Sequence, residues 1–159
     1  MATQTAATTQ PTRPREIPPL WLGVAIGAMV GLHRWLPIGT LLPHPWRNVG
    51  WLLIALAMVL LLSSFRRFRV AGTHLRPFRP VKALVVEGAF RWTRNPMYLG
   101  LVVVSLGVAL CLGTISPLLV PPLLLLVLDR RFVRREEEFL RDSLGTAYDD
   151  YCERVRRWL

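Results

Sequence analysis

Apolar residues in this chain come in long, nearly unbroken runs, with basic residues filling the gaps between them. Four runs can be traced, at about 18–36, about 49–65, and within 97–128, which Gly113-Thr114-Ile115-Ser116-Pro117 divides in two. Hydrophobic residues make up 52% of the sequence while the formal net charge is +10. A soluble nucleic-acid binder of that charge would not concentrate its apolar residues in blocks, so a lipid bilayer is the expected partner and nucleic acid is not.

The stretch 97–128 is too long for one upright span of about 20 residues and slightly short for two. Gly113 and Pro117 argue for a tight helical hairpin over a single tilted helix. Pro121-Pro122 is expected to kink the second arm. Trp21 and Trp35 bracket the first run, and Trp46 and Trp51 open the second, as interfacial anchors do. With four spans, Arg13, Arg15, the 66–94 block and every basic residue from Arg130 onward share one side. The opposite side keeps only Arg34 and Arg47. That asymmetry predicts both termini in the cytoplasm, at a bacterial-type inner membrane. The expected architecture is therefore an all-α integral membrane bundle of about four transmembrane helices, the last two a hairpin, followed by amphipathic cytoplasmic C-terminal helices. Residues 1–16, polar and small, read as a disordered lead, and 17–159 as one domain.

Chemistry concentrates after the second run. Gly72 permits a close backbone approach, followed by Thr73 and His74. Arg91 and Arg94 are spaced to share a face if their segment is helical. Asn95-Pro96 opens the third run as a helix start, where free N–H groups and the helix dipole favour an anion. Beyond the hairpin, Phe132, Val133, Phe139 and Leu140 recur at helical spacing around Glu136-Glu137-Glu138, as an amphipathic continuation of the fourth helix. Gly145 ends or bends that continuation. Tyr148, Tyr151 and Val155 begin another short piece, and Trp158 suits an interfacial anchor. Cys111 and Cys152 suggest no disulfide framework, and no His/Cys cluster has metal spacing. His33 and His44 read as interfacial residues.

Taken in order, these pieces resemble the isoprenylcysteine carboxyl methyltransferase and phospholipid methyltransferase superfamily of small membrane enzymes. The matching elements are Ala71-Gly72-Thr73, Leu84 to Phe90, and Arg94-Asn95-Pro96-Met97-Tyr98-Leu99-Gly100. Glu136-Glu137 with Leu140, Leu144-Gly145 with Tyr148 and Tyr151, and Val155 with Arg157-Trp158 complete the series. Asn95 stands where the isoprenylcysteine enzymes usually have His, a form closer to the phosphatidylethanolamine-type enzymes, and Leu144 replaces a usual Phe.

The resemblance implies S-adenosyl-L-methionine as cofactor, held by Gly72, Thr73, Arg94, Asn95, Pro96, Met97, Tyr98, Gly100, Glu136 and Glu137. Tyr148, Tyr151 and Arg157 are the outer candidates. A carboxylate of the cofactor would suit the helix start and Arg94, and an ammonium or ribose hydroxyls would suit the Glu pair. The expected acceptor is lipophilic, either a phospholipid amine or an isoprenylcysteine-like carboxylate, and methylation of an amine needs a base. His74, Arg94 and Glu137 are the candidates for a catalytic role, with no choice among them dictated by sequence. The rival classes are an NADPH-dependent sterol-type reductase, which carries a similar Arg-x-Pro-x-Tyr element, and a noncatalytic protein whose basic face binds anionic lipid.

Overall fold

The computed structural model describes residues 17–70 and 84–159. Among these the regular structure is helical: α1 Pro18–Trp35, α2 Asn48–Val70, α3 Pro96–Leu112, α4 Val120–Leu128, α5 Arg134–Leu144 and α6 Thr146–Arg154. Short 3-10 turns precede α3 (Gly88–Arg91) and α4 (Ser116–Leu119), and a π turn, Asp129–Val133, joins α4 to α5.

The centre of the bundle is α3. Its sequence is apolar all round, the pattern of a helix enclosed by others, and it packs against α1, α2 and α4. The contact with α2 depends on missing side chains. A Cβ on Gly107 would come within 2.7 Å of the Gly50 carbonyl oxygen, and one on Gly50 within 2.4 Å of the Gly107 carbonyl oxygen. Where lipid removes the hydrophobic drive for helices to associate, such close backbone approach is what holds them together. On the other side of α3, Met29 of α1, Leu101 and Ala109 of α3, and Leu124 and Leu128 of α4 form one apolar cluster, which Phe132 extends into the π turn.

The outer faces are apolar as well. Trp51 and Val59 of α2 are each 65% exposed and Leu119 beside α4 is 61% exposed, a surface suited to lipid and rare on soluble monomers. Asn48–Arg67 is long and apolar enough to cross a membrane, whereas the apolar helix Pro96–Leu112 is shorter. The hairpin expected at Gly113 is present. Gly113 takes a left-handed φ of 73°, its N–H bonded to Ala109 O, and closes α3.

The expected kink inside the fourth helix is corrected. α4 begins at Val120, so Pro121 and Pro122 occupy its first turn, where their missing N–H groups have no intrahelical partner to lose. Departure from α geometry falls instead at the π turn.

The far end of the bundle is closed by a clasp. His33 Nδ1 lies 2.9 Å from Thr114 Oγ1, Leu41 N–H donates to Gly113 O, and Ile115 N–H donates to Ile38 O. His33 thus has a specific partner on the α3–α4 turn. At the near end the Arg131 guanidinium lies 4.9 Å from the Trp21 ring, which puts the start of α1 beside the π turn. Arg67 pairs with Glu87 there and ties the end of α2 to the approach to α3.

Candidate active site

The near end gathers the polar residues. Proline fits at N1 of α3, and Asn95 precedes it as the N-cap, its carbonyl accepting the Leu99 N–H at 3.0 Å. No side chain caps this helix. The Thr93 hydroxyl accepts the Asn95 N–H at 3.2 Å and donates to Arg157 O at 3.0 Å. The Asn95 side-chain amide donates to the same carbonyl at 3.2 Å, and Arg94 N–H donates to Arg156 O.

The C-terminal tail reaches this position because Gly145, at φ 56° and ψ −132°, turns the chain between α5 and α6. That conformation is essentially open to glycine alone. Tyr148 and Tyr151 are then buried on α6, and the Tyr151 hydroxyl donates to Phe90 O at 2.7 Å. Burial pushes the Tyr151 phenol up to about 12, against the opposing charge of Arg94. Burial and then the Glu137 charge raise that of Tyr148.

The glutamate pair looks in two directions, as adjacent helical positions must. Glu136 accepts a hydrogen bond from the Tyr98 hydroxyl at 2.9 Å, and the Tyr98 ring lies 6.3 Å from that of Phe132. Burial holds the Glu136 carboxyl above the ordinary carboxylate range; the Tyr98 bond works the other way and the Glu137 charge adds to the rise. Glu137, 5% exposed, faces the tail. Its Oε2 accepts two N–H groups of Arg157, at 3.0 and 2.6 Å. Its Oε1 lies 3.7 Å from Arg94 Nη1. That oxygen and Arg94 Nε are buried and have no hydrogen bond, whereas Arg94 Nη1 donates to the Cys152 sulfur.

Of the residues expected to bind cofactor, Arg94, Asn95, Pro96, Met97, Tyr98, Glu136 and Glu137 lie on the α3 start and the facing stretch of α5. Tyr148, Tyr151 and Arg157 close the same region from the tail. Gly100 is placed elsewhere: its bare Cα faces α2, where a Cβ would meet Leu61 Cγ at 2.7 Å. Arg91 is exposed at the end of a 3-10 turn and does not share a helix face with Arg94. Gly72, Thr73 and His74 lie outside the described residues.

Sequence reasoning missed Asp129 and the partner of Trp158. The Trp158 indole N–H donates to Asp129 Oδ1 at 3.2 Å, so this ring is tied to the protein by a specific bond that its reading as an interfacial anchor did not include. An acidic residue ending an apolar run was a signal in itself, because a carboxylate there is costly without partners.

The arrangement can receive a zwitterion. A buried carboxylate oxygen and a buried guanidinium N–H, both without hydrogen bonds, suit an ammonium and a carboxylate respectively, which are the two charged ends of an amino-acid moiety.

A model of the phospholipid methyltransferase family matches residues 46–147. An uncharacterized protein of Haemophilus influenzae is 36% identical over 63 residues, which is 40% of this chain and 100% of that protein. Among solved structures, the eukaryotic intramembrane Ras methyltransferase (isoprenylcysteine carboxyl methyltransferase) has a similar fold, with a TM-score of 0.63, 20% identity and 87% of this chain covered. This chain spans about half the length of that enzyme, 49%.

Proposed function

The chain belongs to the phospholipid methyltransferase family, and from that premise we propose that it transfers a methyl group from S-adenosyl-L-methionine to a lipophilic acceptor at the cytoplasmic membrane interface. The acceptor is a phospholipid amine or an isoprenylcysteine-like carboxylate. The observation that carries the reading is the pair of buried atoms without hydrogen bonds, Glu137 Oε1 and Arg94 Nε, beside the uncapped start of α3. When bound, the cofactor supplies an electrophilic methyl group on a sulfonium. Glu137 takes its ammonium and Arg94 its carboxylate, while Tyr98 and Glu136 lie in line for the ribose and adenine. Burial of these groups keeps water from the reaction and holds the reactants aligned, worth roughly 7–11 kcal/mol of the barrier in favourable cases.

The same reading takes α1, α2, α3 and the 116–128 segment as four spans, with both termini in the cytoplasm of a bacterial-type inner membrane. It is supported by the clasp at one end of the bundle, the polar site at the other, and the exposed apolar belt between them.

The test is equilibrium binding of S-adenosyl-L-methionine and NADPH, side by side, to the detergent-purified protein. Saturable binding of the first alone is expected. Binding of NADPH alone would move the chain to the reductases, and binding of neither by folded protein would favour a noncatalytic lipid-binding role.

A further inference from the structure

Asp129 follows the fully buried Leu128 and precedes Arg130 and Arg131. Its side chain is only 11% exposed. A carboxylate so placed is retained only where charged or N–H partners compensate its desolvation. Its compensation comes from two elements. Arg134 Nε donates to Oδ2 at 2.7 Å from five positions along the chain. In a regular α-helix residues five apart point to different sides, and the wider π turn between them brings this pair together. Asp129 Oδ1 accepts the Trp158 indole N–H and lies 3.7 Å from Arg157 Nη1.

The second contact gives the cluster its meaning. Arg157 is held at both edges of its guanidinium: Nη1 faces Asp129, while Nε and Nη2 both donate to Glu137 Oε2. With Oε2 occupied twice, the other oxygen of Glu137 is left facing Arg94 at 3.7 Å, without a hydrogen bond. A row of alternating charges thus runs from Arg134 through Asp129, Arg157 and Glu137 to Arg94. Its inner end is where the zwitterion site lies.

We infer that Asp129 is a positioning residue: together with Trp158 it fixes Arg157, which turns Glu137 so that Oε1, with Arg94 Nε, is presented to the amino-acid end of the methyl donor. The inference rests on the proposed cofactor. Asp129 makes no contact with the donor, and an amide in place of its carboxylate would keep the shape while losing the charge that orients Arg157.

The experiment compares equilibrium binding of two thioether nucleosides to the full-length protein in detergent. S-Adenosyl-L-homocysteine carries the amino-acid end, and 5′-methylthioadenosine lacks it. Asp129→Asn is expected to weaken binding of the first by about tenfold, the scale of one charged hydrogen bond, and to leave the second unchanged. Trp158→Phe, which keeps an aromatic ring and loses the N–H, is expected to show the same pattern with a smaller shift. It decides the matter if Asp129→Asn does not fold by thermal unfolding. Equal weakening of both nucleosides would mean general loosening of the site, and no weakening of either would mean a tail anchor only; each overturns the inference. Wild-type protein that binds neither nucleoside overturns the proposed cofactor, and this inference falls with it.

Discussion

The two ends of the bundle are built from similar materials and finished differently. At the far end, His33 meets Thr114, Arg47 Nε donates to Leu42 O, and the Ser116 hydroxyl donates to Leu32 O. Two of these bonds tie the end of α1 to the α3–α4 turn, the Arg47 bond braces the α1–α2 connection from within, and together they leave a closed clasp. At the near end a comparable set of tail-to-helix bonds ends with Glu137 Oε1 and Arg94 Nε buried and without hydrogen bonds. Leaving a buried polar group unsatisfied costs about 1–3 kcal/mol, more for a charged one. Among the described residues, the near end is therefore the one where a ligand would have hydrogen bonds to supply.

The largest expected effect is at that second end. Glu137→Ala should abolish measurable S-adenosyl-L-methionine binding in an equilibrium assay. From sequence alone this change would leave the fold intact, but Glu137 also pairs with Arg157 and Arg94. Removing it leaves the buried Arg94 guanidinium without its carboxylate while Arg157 keeps Asp129, a loss of about 3 kcal/mol when a buried pair is broken from one side. Thermal unfolding in detergent should therefore fall together with binding. Unchanged binding would erase the distinction between the two ends.

Changes at the far end should separate stability from binding. At Gly113 a Cβ would lie 2.2 Å from Arg47 Nε at a φ of 73°. Gly113→Ala should cost about 1–3 kcal/mol of stability through backbone strain, while cofactor affinity in the surviving folded protein is retained. Thr114→Val removes the partner of His33 and should cost about 1 kcal/mol, again with no change in affinity. A loss of affinity in either variant would show that the clasp is coupled to the site along the length of the bundle.

Much of this architecture was legible in the chain because helices and their ends are local. Runs of apolar residues, Asn95-Pro96, Gly113 and Gly145 each mark a boundary by its own backbone chemistry. What escaped was either long-range or negative. The bond from Trp158 to Asp129 depends on the tail folding back along the bundle. The packing of Gly100 against Leu61 of α2 depends on a helix nearly forty residues earlier. The two directions taken by the glutamates follow from helical geometry, but which partner each meets depends on Tyr98 and on a tail twenty residues further on. The π turn had no sequence signature beyond an acid placed at the end of an apolar run.

The smallest expected effect concerns Glu136 and sharpens the contrast within the near end itself. Glu137 is met by two guanidinium groups, whereas Glu136 is met by the Tyr98 hydroxyl. Burial raises the Glu136 carboxyl above its ordinary range, so the folded protein holds that proton more tightly than the unfolded chain does. The contribution to stability is therefore fully present below the ordinary carboxylate range and is lost as the pH rises through the raised value. Glu136→Gln, which imitates the protonated form, cannot lose it. Thermal unfolding followed from about pH 4 to 7 should show wild type falling relative to this variant as the pH rises, by a modest amount because the residue is only half-buried. The opposite slope would mean that the Tyr98 bond outweighs desolvation and holds Glu136 ionised.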